Sequence, residues 1–206
     1  MKPKLLFWID AGYSHFGLAK YIQDNLNCEL YTIADVTDKP RKFFQSQKLV
    51  KFRKIWYLHD YILKIKRKPD LSYLKSIEEK YGISLWLIAA NDRFFNHFNL
   101  FYKFSSDEIL SILEDEIKLF EMILDEVKPD FLIIWETHQQ HNHIFYEICR
   151  ARNVKILMMV GARVFSPKIF TLSDETDKFL PLPKTVKPDN YKKISQKEKF
   201  ENTIKS

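Results

Sequence analysis

The sequence predicts an α/β fold: an open parallel sheet with helices on both faces, which makes a three-layer sandwich. Two observations support this prediction. First, LLFWI (5–9), FLIIW (131–135) and KILMMVG (155–161) are short, continuous apolar runs, the pattern of strands that are buried on both faces. Second, helical patterns separate the strands, and such alternation is typical of a sheet whose strands run in the same direction.

The first half of the chain contains further elements of both kinds. The predicted strands are CELYTIA (28–34) and KIWYL (54–58), and the predicted helices are SHFGLAKYIQDNL (14–26) and LSYLKSIEEKYG (71–82). Ser14 is expected to cap the first helix, and Gly82 is expected to end the second. SLWLIA (84–89) is apolar throughout, so it fits either a strand or a buried helix.

The longest predicted helix lies in SSDEILSILEDEIKLFEMILDEVKPD (105–130). Ser105 and Glu108 have the spacing of a capping box, and Pro129 is expected to end the helix. Apolar residues recur at intervals of three and four along one stripe, which indicates core packing. The stripe consists of Ile109, Leu113, Ile117, Phe120, Leu124 and Val127. Another helix is predicted at about 138–152, between the last two strands.

Length and composition favour one folded domain. The chain has 206 residues, of which 46% are hydrophobic. The alternating pattern extends through residues 1–175. Residues 176–206 are rich in Pro and Lys, which predicts a linker or an exposed C-terminal extension. The two cysteines, Cys28 and Cys149, form no CxxC pair and are expected to be buried without a disulfide.

The chain is basic, with a formal net charge of +6 concentrated in 39–54, in 64–70 and in the tail from Lys184. A solvated lysine-rich face, contact with an anionic membrane surface, and nucleic-acid binding all remain open interpretations. Nucleic acid is not expected, because no RNP-like, KH-like or zinc-finger pattern accompanies the charge. No apolar run approaches the roughly 20 residues that span a bilayer, and the N-terminus is too short for a secretory signal. We therefore expect a cytoplasmic location, with the inner face of the membrane as the alternative.

Ligands of open α/β sheets bind beyond the carboxyl ends of the strands, so polar residues directly after a strand are the best candidates for a site. DAGYSHFG (10–17) follows the first strand and offers Asp10, Gly12, Ser14 and His15. Free N–H groups at the start of the next helix would suit an anionic oxygen. The alternative is a capped turn around a buried Asp10. The pattern is neither G-x-G-x-x-G nor a P-loop.

The second candidate stretch is ETHQQHNH (136–143), directly after FLIIW. Thr137 is expected to cap the following helix, with His138 in its first turn, where imidazolium is disfavoured and a neutral histidine can accept a proton. His138 and His141 would share a helix face, with Glu136 near them. Three interpretations of this stretch remain open: an acid/base or substrate-binding role, a solvated helix start, and a metal site. No metal is expected, because H-x-x-H-x-H lacks the spacing of the metal-binding motif H-E-x-x-H.

Two more stretches contain candidate site residues. Gly161 allows a sharp turn after the last strand, and Arg163 would hold a phosphate or carboxylate, or else pair with Glu136. Asn91 and Arg93 follow SLWLIA and are candidates for substrate binding. Covalent catalysis has no support, because G-x-S-x-G, S-x-x-K and C-x-x-C are absent.

The stretch VKPDFLIIWETH…IFYEICRARNVKILMMVGARVFSPKIFTLSDE resembles a segment of capsular polysaccharide biosynthesis proteins and related GT-B-type glycosyltransferases. Lys128-Pro129-Asp130, Glu136, Arg163 and Asp174 stand at the matching places. KLLFWIDAGYSHFGLAKYI is similar to the first strand, loop and helix of the N-terminal half of such enzymes. The resemblance implies a Rossmann-like N-terminal half, on the acceptor side of a catalytic cleft, with a C-terminal half absent from this chain.

The resemblance also implies partners and roles. A saccharide acceptor and a nucleotide-sugar donor would be substrates, the donor bound mainly by the missing half, and no resident cofactor is expected. Asp10 or His138 would deprotonate the acceptor, with Glu136 orienting the imidazole. Arg163 and the helix starts near Ser14 and Thr137 would hold the acceptor or a donor phosphate. The alternative function is a non-catalytic module that binds an anionic glycan, a lipid headgroup or nucleic acid.

Overall fold

The computed structural model describes residues 2–62, 68–96, 102–161 and 170–173. The predicted domain boundary between 175 and 176 and the predicted C-terminal extension lie outside the described residues, as do Arg163 and Asp174. Within the described parts of the chain, no helix is long and apolar enough to cross a bilayer.

The sheet confirms the predicted fold class. Its strands have the order β3-β2-β1-β4-β5-β6, and the first five in this order are parallel. The sixth pairs antiparallel with β5 and was not predicted from the sequence. The strands are β1 (Lys4–Asp10), β2 (Glu29–Asp35), β3 (Lys54–Tyr57), β4 (Phe131–Trp135), β5 (Lys155–Gly161) and β6 (Phe170–Ser173).

Seven α-helices and one 3-10 helix, Leu58–Asp60, are present among the described residues. They are α1 (Ser14–Asn25), α2 (Asp38–Ser46), α3 (Leu71–Tyr81), α4 (Leu85–Asn91), α5 (Arg93–Asn96), α6 (Ser106–Val127) and α7 (Gln140–Ala151). The run SLWLIA is therefore the start of a helix: Ser84 accepts a hydrogen bond from the Leu87 N–H, and only one side of α4 is buried. The predicted helical end at Gly82 is confirmed, because Gly82 has φ +66° and follows α3 directly.

The predicted capping box of α6 is confirmed. The Ser105 side chain accepts from the Glu108 N–H, and the Glu108 side chain accepts from the Ser105 N–H. Lys128 takes the left-handed conformation after the last turn, directly before Pro129. All six residues of the predicted apolar stripe are buried.

Alternate residues of the strands enter two different cores, which makes the three layers. Leu6 and Trp8 of β1 belong to the larger core, formed with α3, α4, α6 and α7. Leu5 and Phe7 belong to the smaller core on the opposite face, formed with α1 and α2. Because successive strand side chains point to opposite faces, both sides of β1 are covered.

Both cysteines are free. Cys149 is fully buried in the larger core, where burial raises the pKa of its thiol. Cys28 is only partly buried, because it precedes β2 at the edge of the smaller core. The expectation of two buried cysteines therefore holds for Cys149 alone.

Candidate functional site

The carboxyl ends of the parallel strands form one edge of the sheet, as the sequence predicts. Asp10 ends β1 and is the register partner of Asp35, which ends β2. Glu136 directly follows β4, and Gly161 is the last residue of β5. The three predicted clusters that begin at Asp10, Glu136 and Gly161 therefore start from the same edge.

Asp10 stabilises the turn that follows its own strand. Its Oδ1 atom accepts a hydrogen bond of 2.8 Å from the Gly12 N–H. A Cβ at position 12 would lie 3.0 Å from that oxygen, which explains a glycine there. Ser14 is not the helix cap: the cap position is Tyr13, with φ 57° and no side-chain hydrogen bond, so the predicted cap is wrong. The left-handed Tyr13 turns the chain instead.

His15 lies in the interior rather than on the rim. Its side chain is almost fully buried, and its Nδ1 atom lies 2.6 Å from the Trp8 carbonyl oxygen. The ring packs against Trp135, with 4.6 Å between the ring centroids. Burial lowers the pKa of His15 to about 4, so the imidazole is neutral near pH 7. In this position His15 contributes to the packing between α1, Trp8 and Trp135.

The partly buried Glu136 and the exposed His138 form a pair next to the end of β4. The His138 Nε2 atom lies 2.5 Å from Glu136 Oε2, and the His138 side chain is 80% exposed. The expected first-turn position of His138 and the expected Thr137 cap are wrong, because α7 begins at Gln140 with Gln139 at the cap position. The backbone turns at 136–138 first, with the His138 N–H donating to the Glu136 carbonyl. The two side chains are therefore in contact, and the role of Glu136 in orienting the imidazole stays a prediction.

Asn91 and Arg93 are both exposed, at the end of α4 and the start of α5. The buried residue of this stretch is Asp92, which lies between them. Its Oδ1 atom accepts from the Phe94 N–H at 2.6 Å, and its Oδ2 atom accepts from the Gln140 N–H at 2.8 Å. Asp92 therefore caps α5 and joins it to the start of α7.

A cavity of about 320 Å³ opens beside the ends of β2 and β3. Its volume lies at the lower end of the range of small-molecule sites. The walls are mostly apolar, and the polar groups come from four separate elements. It is lined by Asp35, Leu58, His59, Ile62, Phe94, Phe95, Phe104, Ile112, Glu116, Gln139, Gln140 and His141.

Asp35 and His59 form a carboxylate–imidazole pair at this cavity. The His59 Nε2 atom lies 3.0 Å from Asp35 Oδ1, and the histidine side chain is 46% exposed. The hydrogen bond to Asp35 raises the pKa of His59 above its ordinary value of 6.5. A carboxylate that holds one nitrogen of an imidazole leaves the other nitrogen to exchange a proton with a ligand.

His141 approaches the other oxygen of Asp35. Its Nε2 atom lies 3.5 Å from Asp35 Oδ2, and this atom makes no hydrogen bond within the described residues. The ring stacks on Trp8, with a centroid distance of 5.0 Å and an interplanar angle of 9°. Burial lowers the pKa of His141, so the side chain is a neutral part of the cavity wall. The prediction that His141 binds substrate is compatible with this position.

Glu116 is a buried acid in the same cavity. Its side chain is 1% exposed, and its Oε1 atom accepts a 2.9 Å hydrogen bond from Gln140 Nε2. The second oxygen, Oε2, is buried and has no hydrogen-bond partner among the described residues. Desolvation, with a smaller contribution from Asp35, Asp92 and Asp115, raises the pKa of Glu116 well above its usual range.

Three titratable residues of the cavity, Asp35, His59 and Glu116, were not among the candidates from the sequence. Asp35 and His59 directly follow the predicted strands CELYTIA and KIWYL, so the rule used for the other strand ends selects both residues. The sequence contains a weaker indication that Glu116 is a site residue. This glutamate lies between Ile112 and Leu119 on a side of α6 where every fourth or third residue is apolar, and an acid in such a row is exceptional.

No group of three or more His, Cys, Asp or Glu side chains within the described residues is arranged to hold a metal ion.

The opposite edge of the sheet carries a second, wider concavity, which is lined by Lys2, Lys4, Lys128 and Lys155 together with Asp130. Lys4 Nζ donates to the Val127 carbonyl at the C-terminus of α6, where cations offset the helix dipole.

Comparison with known proteins finds a similar fold among solved structures. No family model and no curated protein matches the chain. A crystal structure of UDP-N-acetylglucosamine 2-epimerase is similar, with 9% sequence identity and a TM-score of 0.42. The match covers 80% of this chain and 35% of the epimerase chain, so this chain spans about a third of that length. A match at this level says nothing about the ligand of this chain.

Proposed function

We propose that this chain is the acceptor-side α/β domain of a glycosyltransferase and that the acceptor hydroxyl is deprotonated at the Asp35–His59 pair. The observation that supports the proposal is the 3.0 Å contact of this pair beside an apolar-walled cavity at the carboxyl edge of a parallel sheet. The sequence resemblance supports the saccharide as ligand and a place in surface or capsular polysaccharide synthesis.

The reaction needs one proton acceptor. Asp35 holds Nε2–H of His59, and the free Nδ1 takes the proton from the acceptor hydroxyl. The hydroxyl oxygen then forms a bond to the anomeric carbon of the donor, while the bond from that carbon to the diphosphate oxygen breaks. The nucleoside diphosphate leaves with the bonding electron pair, and the configuration at the anomeric carbon is inverted. The donor would be held mainly by the second half of such an enzyme.

The Glu136–His138 pair is the other candidate base, with Asp10 as a third. The pair at His59 is favoured because it borders a cavity of about 320 Å³ that can enclose part of a ligand, whereas His138 is 80% exposed. Partial exclusion of water strengthens hydrogen bonds to the reacting hydroxyl. The structure therefore supports His59 as the base more strongly than His138.

The test is transfer by the whole gene product from a panel of nucleoside-diphosphate sugars to methyl glycosides, with the products measured by mass spectrometry. Asp35→Asn and His59→Asn should each lower kcat by roughly 100-fold or more, the usual contribution of a general base. Asp60→Asn is the matched control, because this neighbouring carboxylate pairs with Arg41 outside the cavity. Its kcat should stay within about threefold of wild type.

The variants also distinguish the bases. A loss in His138→Asn together with normal transfer in His59→Asn would move the base to the Glu136–His138 pair. Normal transfer in both variants and in Asp10→Asn would refute general base catalysis by these groups. If no donor and acceptor combination gives a product, the glycosyltransferase proposal itself fails.

A second candidate function is non-catalytic binding of an anionic glycan at the edge of the sheet formed by the amino ends of the parallel strands. The lysine-lined concavity there supports it. Binding to alginate, a polyuronate, should weaken steeply with salt and be lost in Lys128→Glu/Lys155→Glu, while Asp35→Asn has no effect. Binding that is insensitive to salt would contradict this candidate.

A further inference from the structure

We propose that Glu116 Oε2 is the hydrogen-bond donor that selects uncharged, oxygen-bearing ligands for the cavity and excludes anionic ones. The inference rests on the proposed function only in taking the ligand to be a saccharide. It concerns a group that lies on a helix, away from the strand ends where the acid/base pair lies, and it makes Glu116 a specificity-determining residue.

The geometry leaves one oxygen for a ligand. Gln140 Nε2 donates to Oε1 at 2.9 Å, so this oxygen is committed to the protein. Gln140 is itself fixed, because its backbone N–H donates to Asp92 Oδ2. Oε2 is buried and has no hydrogen-bond partner among the described residues, although its side chain lines the cavity. A buried polar atom without a partner is costly, and a ligand that pairs with it regains that cost.

The surroundings of Glu116 keep it uncharged. Its side chain is 1% exposed, and three acids act on it: Asp35 from β2, Asp92 from the α4–α5 connection and Asp115 from α6 itself. Each of them disfavours a further negative charge, in addition to the larger effect of desolvation. An uncharged carboxyl group has an O–H to donate, and here this O–H belongs to Oε2.

The remaining titratable groups of the cavity are Asp35, His59 and His141. Asp35 binds His59, and His141 stacks on Trp8, so neither histidine is an unengaged cation. The cavity therefore offers the Asp35–His59 pair, an uncharged acid and apolar walls, and its described wall contains no cation without a partner that could balance an anionic ligand. A hydroxyl or carbonyl oxygen can accept from Glu116, while the aromatic walls cover the C–H face of a sugar ring.

The experiment compares methyl glucoside with methyl glucuronide, which carry a hydroxymethyl group and a carboxylate at the same ring position, by chemical-shift titration of the chain. Glu116→Gln keeps a donor at the Oε2 position and cannot ionise, whereas Glu116→Leu removes the donor. Glu114→Gln is the matched control, because this glutamate is also buried on α6 but pairs with Lys118 and does not line the cavity. Thermal unfolding verifies that each variant is folded.

Wild type should bind the glucoside roughly tenfold more tightly than the glucuronide at pH 7. Glu116→Gln and Glu114→Gln should retain glucoside binding within about threefold, and Glu116→Leu should lose roughly tenfold, the usual effect of one hydrogen bond to a buried group. As the pH rises, wild type should lose binding and Glu116→Gln should not.

Three results would overturn the inference: equal loss in Glu116→Gln and Glu116→Leu, equal binding of both probes, or no binding of either probe. The first would show that the anion is the functional form. The outcomes separate the two proposals, since binding with the expected pattern but without glycosyl transfer refutes the enzyme and leaves the role of Glu116 intact. Glycosyl transfer without this binding pattern refutes the role of Glu116 and leaves the enzyme proposal intact.

Discussion

The buried His15 should make the protein sensitive to acid, and replacing it with asparagine tests this. The neutral ring is packed against Trp135 and bonded through Nδ1 to the Trp8 carbonyl. Asn places an amide N–H near the position of Nδ1, so His15→Asn can keep the hydrogen bond to Trp8 without a group that titrates in this range.

The magnitude follows from the pKa of His15, which burial lowers from 6.5 to about 4. The unfolded chain takes up a proton at this histidine below about pH 6.5, whereas the folded protein does so only near pH 4, so acid favours the unfolded state. Each pKa unit corresponds to about 1.4 kcal/mol, so the lowering of the pKa of His15 corresponds to about 3 kcal/mol in the free energy of unfolding. This stability is fully present above pH 6.5 and is lost as the pH falls to 4.

The assay is urea unfolding, followed by tryptophan fluorescence, at several pH values between 7.5 and 4. The quantity of interest is the difference in the free energy of unfolding between wild type and His15→Asn, because other groups that titrate in acid cancel in this difference. Relative to wild type, the variant should gain about 3 kcal/mol between pH 6.5 and 4.

His138→Asn, the same exchange at an exposed histidine, is the control and should retain the wild-type decline because His15 is still present. Parallel curves for wild type and His15→Asn over the whole pH range would refute the reasoning. They would show that His15 is as free to take up a proton in the folded protein as in the unfolded chain.

Other predictions concern the scaffold around the site and are measured by urea denaturation. Asp92→Ala removes the acceptor of backbone N–H groups at the start of two helices and should cost about 2–4 kcal/mol, whereas Asp107→Ala, in the exposed first turn of α6, should cost less than about 1 kcal/mol. Similar losses in these two variants would contradict the capping role. Gly82→Ala should destabilise by about 1–2 kcal/mol because of its φ of +66°, while Gly17→Ala, in a helix with open space around the added Cβ, should stabilise by about 0.5–1 kcal/mol. Phe120→Ala should cost about 3–5 kcal/mol, because Phe120 is fully buried between Trp8 and Phe145; a loss below 1 kcal/mol would be inconsistent with that packing.

The local elements could be predicted where the signal lies within a few residues. Ser105 and Glu108 cap α6 as predicted, and Gly82 ends α3, because caps depend on backbone groups three or four positions away. The prediction failed where the polar residue nearest to a helix is not its cap. Ser14 follows a left-handed Tyr13, and the turn at 136–138 delays α7 to Gln140.

The location of the candidate site could be predicted from the sequence, but the residues that form it could not. The carboxyl edge was expected, and Asp10, Glu136 and Gly161 lie along it. The cavity lies at the β2 and β3 end of this edge, with Asp35 and His59 at its centre. Two features decide this: α5 contributes Phe94 and Phe95 to the cavity wall, and α6 contributes Glu116 to the same space.

By itself, the sequence determined the five parallel strands, the helices α1, α3, α6 and α7, the two faces of β1 and the edge at which polar groups collect. Those properties depend on periodicity and on neighbours along the chain. Only the tertiary structure decided that His15 is buried, that Asp35 bonds His59, and that Glu116 meets Gln140 with one oxygen unpaired. Burial and distance between residues far apart in the chain set the charge of each group, and no local pattern of residues contains that information.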